Sequence, residues 1–335
     1  MDKNKSTWLF KKKPKIISTG VVGGPFERNG PLVNDFDRLY EDLWLNEDSY
    51  EKAHRKLFEH ACEVALEKAA LTKEDIQFLF AGDLVNQLTP TNFAARSMEI
   101  PVFGLFSACA TSMEGLALAS FVINHLGANY VLTGTSSHNA AIEKQFRYPT
   151  EYGGQKPPTS QWTVAGAGAC VVSLNGKGPV ISSATIGKVV DMKMSDPFNM
   201  GGAMAPAAVD TITRHLRNTQ SSFDEFDYIV TGDLGRIGRE VAFDLLHEHG
   251  VKIPSERFID CGILIYDKKQ PVFAGGSGAA CSAVVTYGHL LEKMKKGEFH
   301  KMLVVATGSL HSPLTYQQNE TIPCIAHAVV IENER

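Results

Sequence analysis

The chain has 335 residues, 44% of them hydrophobic and 21% charged, enough apolar material for one large core or two modest ones, and a composition that excludes intrinsic disorder. Its 33 Lys and Arg against 37 Asp and Glu leave a formal charge of −4, which excludes the broad basic field of a dedicated nucleic-acid binder. Six cysteines, at 62, 109, 170, 261, 281 and 324, lack the close spacing of zinc ligands or of a C-x-x-C pair and fit free thiols in a reducing compartment.

At the N-terminus, M-D-K-N-K-S-T-W-L-F-K-K-K-P-K places charged and hydroxylated residues where a signal peptide needs an apolar run, and no later stretch reaches the ~18 apolar residues of a membrane span. Neither export nor insertion is expected. Lysines 11, 12, 13 and 15, behind Trp8-Leu9-Phe10, read as a solvated tail leading into the first strand, with contact to an anionic membrane surface as the other reading. Short apolar runs then predict strands at 14–20, 76–81, 102–106, 130–133, 164–174, 228–231, 302–306 and 324–331. Helices are predicted over 50–70, 111–126, 206–217, 238–249 and 282–296. The first of these follows the capping pair Asp48-Ser49 and sets Leu57, Ala61, Val64, Ala65 and Leu66 along one face. Strands alternating with helices predict an α/β fold with covered sheets.

Laid on itself, the chain repeats. Ile76-Gln-Phe-Leu-Phe-Ala-Gly-Asp-Leu84 matches Phe226-Asp-Tyr-Ile-Val-Thr-Gly-Asp-Leu234 at an offset of 150, and Ser107-Ala-Cys-Ala-Thr-Ser112 matches Ser277-Gly-Ala-Ala-Cys-Ser282 at an offset of 170. The segments 130–138 and 303–311, then 165–172 and 325–330, continue the match in the same order. Two duplicated βα halves, 1–175 and 176–335, packed about a pseudo-twofold axis, are the simplest account. Residues present in both copies serve the shared fold: Asp83 and Asp233, each in a Gly-Asp-Leu turn, read as caps of the following segment, with ligand contact as the second reading. Cys109, which faces Ala279 across the repeat, and the unduplicated segment 139–161 are the functional candidates. Cys109 opens a helix that is apolar almost all round and therefore buried. In its first turn a thiol meets open N–H groups that lower its pKa and form an anion site; alternatively, the cysteine simply fills a small gap.

A cysteine at the head of a buried helix, the later Ala165-Gly-Ala-Gly-Ala169 strand and the duplicated halves together resemble the thiolase and 3-ketoacyl synthase superfamily over essentially the whole chain. The resemblance implies a five-layered α-β-α-β-α fold and a homodimer. In condensing members the cysteine takes an acyl group from a thioester, while second-half His and Asn, or His and a second Cys, activate it and stabilise the enolate. The corresponding positions here read Thr231-Gly232-Asp233 and Ala274-Gly-Gly-Ser-Gly278, and His289, His311 and His327 lie outside those motifs. Efficient condensation is not expected, and an acyl-thioester condensing enzyme or hydrolase using Cys109 is the second reading. Strings such as Phe146-Arg-Tyr-Pro-Thr-Glu-Tyr-Gly-Gly-Gln155 and Ser195-Asp-Pro-Phe198 are similar to a spore-former branch of the superfamily without known condensing chemistry. That likeness implies non-catalytic binding of dipicolinic acid (pyridine-2,6-dicarboxylate), expected as its calcium chelate, for uptake into or release from bacterial spores. It also implies partnership with other proteins of the same operon and a place in the cytoplasm or at the forespore or spore inner membrane, as a peripheral subunit.

A flat aromatic dianion needs donors at both carboxylates, so a cavity of positive character is expected. Arg147, in the unduplicated loop with Tyr148 and Tyr152, offers a planar fork to one carboxylate or packs its stem on those rings. The N–H groups after Cys109 receive the other. His138, at a strand end in Thr135-Ser-Ser-His-Asn139, donates to a carboxylate or holds a turn, as His311 would in the other copy. Asn86, just past Gly82-Asp83, is a ligand contact or a turn residue. No P-loop or complete Rossmann fingerprint is present, so no cofactor is expected, and His247-Glu-His249 sends its imidazoles to different helix faces, which excludes zinc there. Any calcium arrives with the ligand.

Overall fold

The computed structural model describes residues 6–146 and 156–334, without the side chains of 144–146. Strand β1 (Lys15–Gly23) is followed by helix α1 (Tyr50–Ala69), whose start is fixed by Ser49: its Oγ accepts the Lys52 N–H at 3.3 Å, satisfying one of the donors a helix leaves open. The buried face of α1 carries Leu57, Phe58, Ala61, Val64, Ala65 and Leu66 and lies so close on β1 that a Cβ on Gly20 would fall 2.0 Å from the Ala61 carbonyl oxygen. Then come β2 (Phe78–Gly82), α2 (Thr89–Met98), β3 (Val102–Gly104), α3 (Thr111–Phe121), β4 (Tyr130–Ser137), α4 (Asn139–Phe146) and β5 (Gly166–Ser173). Their sheet order is β3-β2-β4-β5-β1, parallel among the first three strands and antiparallel at β5.

The second half repeats this. It consists of β6 (Val180–Thr185), α5 (Met200–Thr219), β7 (Tyr228–Thr231), α6 (Gly235–Glu248), β8 (Phe258–Asp260), α7 (Ala279–Val284), β9 (Lys301–Ser309), α8 (Pro313–Gln317) and β10 (Cys324–Glu332). The order β8-β7-β9-β10-β6 is the same topology, and one backbone pairing, Lys15 with Val180, joins the two sheets. The echo reaches the caps. α1 and α5 both run 20 residues and end at a left-handed residue, Ala70 and Gln220; capping boxes follow at Thr72 and Ser222.

Five layers result. α1 and α2 cover the outer face of the first sheet, α5 and α6 that of the second, and α3 and α7 pack between the sheets. This is why α3 is apolar on every side: Met113, Leu116, Ala117 and Ala119 are buried, with sheet strands from both halves around them. Ser112 and Ser282, equivalent across the repeat, share a hydrogen bond of 2.6 Å, so the pseudo-twofold axis passes between the two central helices.

Several elements differ from the sequence expectation. α5 begins at Met200, capped by the Asn199 side chain, and carries Pro206 inside it instead of starting there. The glycines before that proline look like breakers, but a Cβ on Gly201 would fall 2.1 Å from the Leu234 carbonyl oxygen, so packing of α5 on α6 selects glycine. The segment 282–296 is not one regular helix: it widens to a π turn over Val285–Leu290. At the N-terminus, Thr7–Leu9 forms a strand against β6, Trp8 packs on Phe121 at 4.8 Å and Phe10 is buried. These rings are therefore committed to the fold and not offered to a membrane surface. No helix among the described residues is long and apolar enough to cross a membrane. All six cysteines are buried and free.

Candidate functional site

A cavity of about 650 Å³ opens between the halves. The first half contributes Asn86, Cys109, Glu143 and Thr163; the second contributes the Ser277-Gly278 turn and the stretch Ser309–Thr315 that follows β9. Cys109 lies just before α3, preceded by Ala108 at φ 51°, a left-handed conformation that L-residues adopt reluctantly. Its thiol lies close enough to the carboxylate of Asp233 for each to bear on the other's ionisation. That carboxylate is itself buried and accepts from Thr307 Oγ1 at 2.8 Å, Ser277 Oγ at 2.9 Å and the Gly278 N–H at 3.2 Å.

The electrostatics reverse the expectation for the thiol. Burial, followed by the negative charge of Asp233, pushes the Cys109 pKa well above the ordinary thiol range. A helix N-terminus carries only about half a unit charge, whereas a buried carboxylate in direct contact carries close to a whole one. The thiol stays protonated, beside a carboxylate held by donors of the second half.

Asp83, the copy-mate of Asp233, does something else. Its carboxylate accepts the Val85 N–H at 2.6 Å and the Thr91 N–H at 3.0 Å, with the Thr91 hydroxyl on the same oxygen, and so caps the start of α2. The cap of α6 comes from Asp260, which accepts the Leu234 and Gly235 N–H groups at 2.9 and 3.0 Å. Thr91→Val is expected to cost about 1 kcal/mol, a fall of about 2 °C in melting temperature for a chain of this size, and to leave cavity binding unchanged. A differential-scanning melt paired with a ligand titration checks both.

Of the five sequence-selected residues, the structure brings Cys109 and Asn86 into the cavity wall. His138 lies elsewhere: its Nε2 donates to the Leu43 carbonyl at 2.8 Å, its Nδ1 accepts the Ala141 N–H at 3.3 Å, and burial drives its pKa down to about 4. It pins the start of α4 as a neutral ring and has no donor left for a carboxylate. Asp83 stands behind the wall as a cap, and Arg147 lies outside the described residues. Sequence reasoning did not single out Thr163 or, within the candidate segment 139–161, Glu143, and it read Asp233 first as a cap and His311 as a turn residue. Glu143 is held by Lys156 at 3.2 Å and by the Thr163 hydroxyl at 3.0 Å, and the Lys156 ammonium rests 4.9 Å from the centre of the Trp162 ring. Among the described residues no Lys or Arg lines the cavity, so the expected positive character is not supplied by them. Nor, among these residues, is there a group of three or more His, Cys, Asp or Glu able to hold a metal ion.

This architecture, two copies of one βα unit with a cysteine at the head of a central helix, defines a thiolase-like protein. Solved structures carry the same fold: 3-oxoacyl-[acyl-carrier-protein] synthase III from Aquifex aeolicus VF5 is 14% identical with a TM-score of 0.60, over 95% of this chain and 99% of that one. A variant of OleA from Xanthomonas campestris is 14% identical with a TM-score of 0.64, over 96% and 99%. At that identity the likeness is one of fold alone. The family model of stage V sporulation protein AD matches residues 4–332, and stage V sporulation protein AD of Bacillus subtilis (strain 168) is 50% identical over 328 residues, 98% of this chain and 97% of the relative. The chain belongs to the stage V sporulation protein AD family, a family of sporulation proteins.

Proposed function

We propose that this chain binds dipicolinic acid, free or as its calcium chelate, without chemistry, as one subunit of the assembly that moves that ligand into or out of bacterial spores. The observation that carries the reading is a cavity of about 650 Å³ lined by Cys109, a buried thiol that the neighbouring Asp233 carboxylate disfavours as a thiolate. A thiol held protonated by a carboxylate is a poor nucleophile, while the volume falls in the usual range for small-molecule sites. Membership of a sporulation family supports the setting. Asn86 and Cys109 contact the ligand from the wall, and Arg147 supplies the cationic fork. The subunit works beside other products of its operon, peripheral to the membrane, and as a homodimer. The free edge of the first sheet favours the dimer: β3 exposes Val102 and Phe103, and the nearby Phe106, 55% exposed, also lines the cavity.

Isothermal titration of the full chain with dipicolinate, with and without calcium, is expected to show saturable binding that Arg147→Ala weakens by about ten- to a hundredfold, the worth of one charge-assisted pair. A flat titration with folded protein overturns the reading. Incubation with acetyl-CoA followed by mass spectrometry is expected to leave Cys109 unmodified; an acetylated Cys109 would instead establish the acyl-thioester enzyme.

A further inference from the structure

An enclosed dianion needs a positive charge near it, and the described wall offers few sources. Among the described residues, the side chains lining the cavity that can carry charge are Cys109, Glu143 and His311, and of these His311 alone can become positive. His311 follows β9 on the stretch that leads into α8, between Ser309 and Ser312, which line the same cavity. The charged groups nearby are committed to other partners: Asp233 to Cys109, Ser277 and Thr307, and Glu143 to Lys156 and Thr163. The lining residues of α8, Pro313, Leu314 and Thr315, bring no charge, and neither do Pro197 and Met200 from the approach to α5. Burial holds the ring of His311 below the ordinary histidine range, partly offset by its hydrogen bond to the Ser309 backbone. The imidazole is therefore neutral while the cavity is empty at neutral pH. A carboxylate arriving within a few ångströms favours the charged ring and raises its pKa by about one to three units.

We propose that His311 is the proton-accepting contact of this cavity, so that a dicarboxylate dianion binds together with one proton taken from solvent. The inference rests on the dicarboxylate reading above and deepens it: beside the permanent charge of Arg147, the site meets its guest with a second cation that exists only once the guest is present. Affinity then depends on pH in a range where both carboxylates of the ligand stay ionised.

The test is calorimetric titration of the full chain with dipicolinate in two buffers of different ionisation enthalpy, repeated from about pH 6.5 to about pH 8.5. The expected result is an apparent enthalpy that changes with buffer, equivalent to uptake of more than about half a proton, and an affinity that rises by up to about tenfold per pH unit as pH falls. In His311→Gln, and in His311→Asn as a second variant, uptake is lost, the pH profile flattens and affinity at the acid end drops by about tenfold. Circular dichroism confirms that each variant is folded. Wild-type binding that does not change with buffer, or uptake that persists in both variants, overturns the role of His311 and leaves the dicarboxylate reading standing. No binding in any buffer overturns that reading as well.

Discussion

In Asp233→Asn, Cys109 is expected to react with iodoacetamide at about pH 8 at least tenfold faster than in the native chain, as read by peptide mass spectrometry. In the native protein, ionising the thiol puts a second negative charge against a buried carboxylate that already holds three other donors, Thr307, Ser277 and the Gly278 N–H. Two like charges about 4 Å apart repel by about 4 kcal/mol at the effective dielectric of a protein site, and each pKa unit is worth about 1.4 kcal/mol, so removing one charge shifts the thiol by more than a unit. Asparagine keeps the shape and can donate to the thiolate, leaving the N-terminal dipole of α3 to act unopposed. The variant also presents an amide N–H₂ to one of those donors, at a cost of about 1 to 3 kcal/mol, so a melting curve accompanies the kinetics. A native Cys109 that alkylates at about pH 7 as fast as a free thiolate would mean an activated nucleophile and would remove the main support for binding without chemistry.

The repeat was legible because it is written in elements with strong local signals. Strands such as Tyr228–Thr231 are short apolar runs, and α1 has both a cap and a periodic face. The site was less legible because its chemistry depends on which partner each repeated residue meets. Asp83 and Asp233 look interchangeable in their Gly-Asp-Leu turns, yet eight residues on one has Thr91 to donate to it and the other has Val241. That single difference was the available signal that Asp233 is released from capping, a task that Asp260 takes over. The Cys109 pKa was misjudged for the same reason: a helix start can be read locally, whereas the carboxylate that overrides it comes from the other half of the chain. His311 and His138 also occupy matching places in the repeat, but one lines the cavity and the other has both nitrogens on backbone groups. No periodicity in 309–315 encodes that this stretch lines the cavity.

Glu27→Gln is expected to remove a fall in stability between about pH 4.5 and about pH 7, and to leave the variant about 2 kcal/mol more stable than the native chain near pH 8. Glu27 is 1% exposed in the short turn Pro25–Arg28. Its Oε1 accepts from the Tyr266 hydroxyl and from the Ala165 N–H at 3.2 Å, while Oε2 has no hydrogen-bond partner among the described residues. Among the described residues no cation pairs with the charge, Arg28 turning outward to Glu41 at 3.1 Å, and burial raises the carboxyl from 4.5 to about 7. Above pH 4.5 the unfolded chain releases this proton while the fold keeps it, so the unfolded state binds fewer protons and stability falls as pH rises. The contribution is fully present below pH 4.5 and is lost as pH climbs through about 7, at up to about 1.4 kcal/mol per unit, or about 3 kcal/mol in all. Glutamine carries no ionisation cost, but its amide N–H₂ lacks an acceptor, which reduces the gain by about 1 kcal/mol. Urea unfolding of both chains at several pH values isolates this group from Asp260, another buried carboxyl raised to about 6, because Asp260 is common to both. A difference between the chains that stays constant with pH would mean that Glu27 is ionised throughout. A pH-dependent difference means that the first half grips Tyr266 of the second through an acid that folds most readily with its proton on.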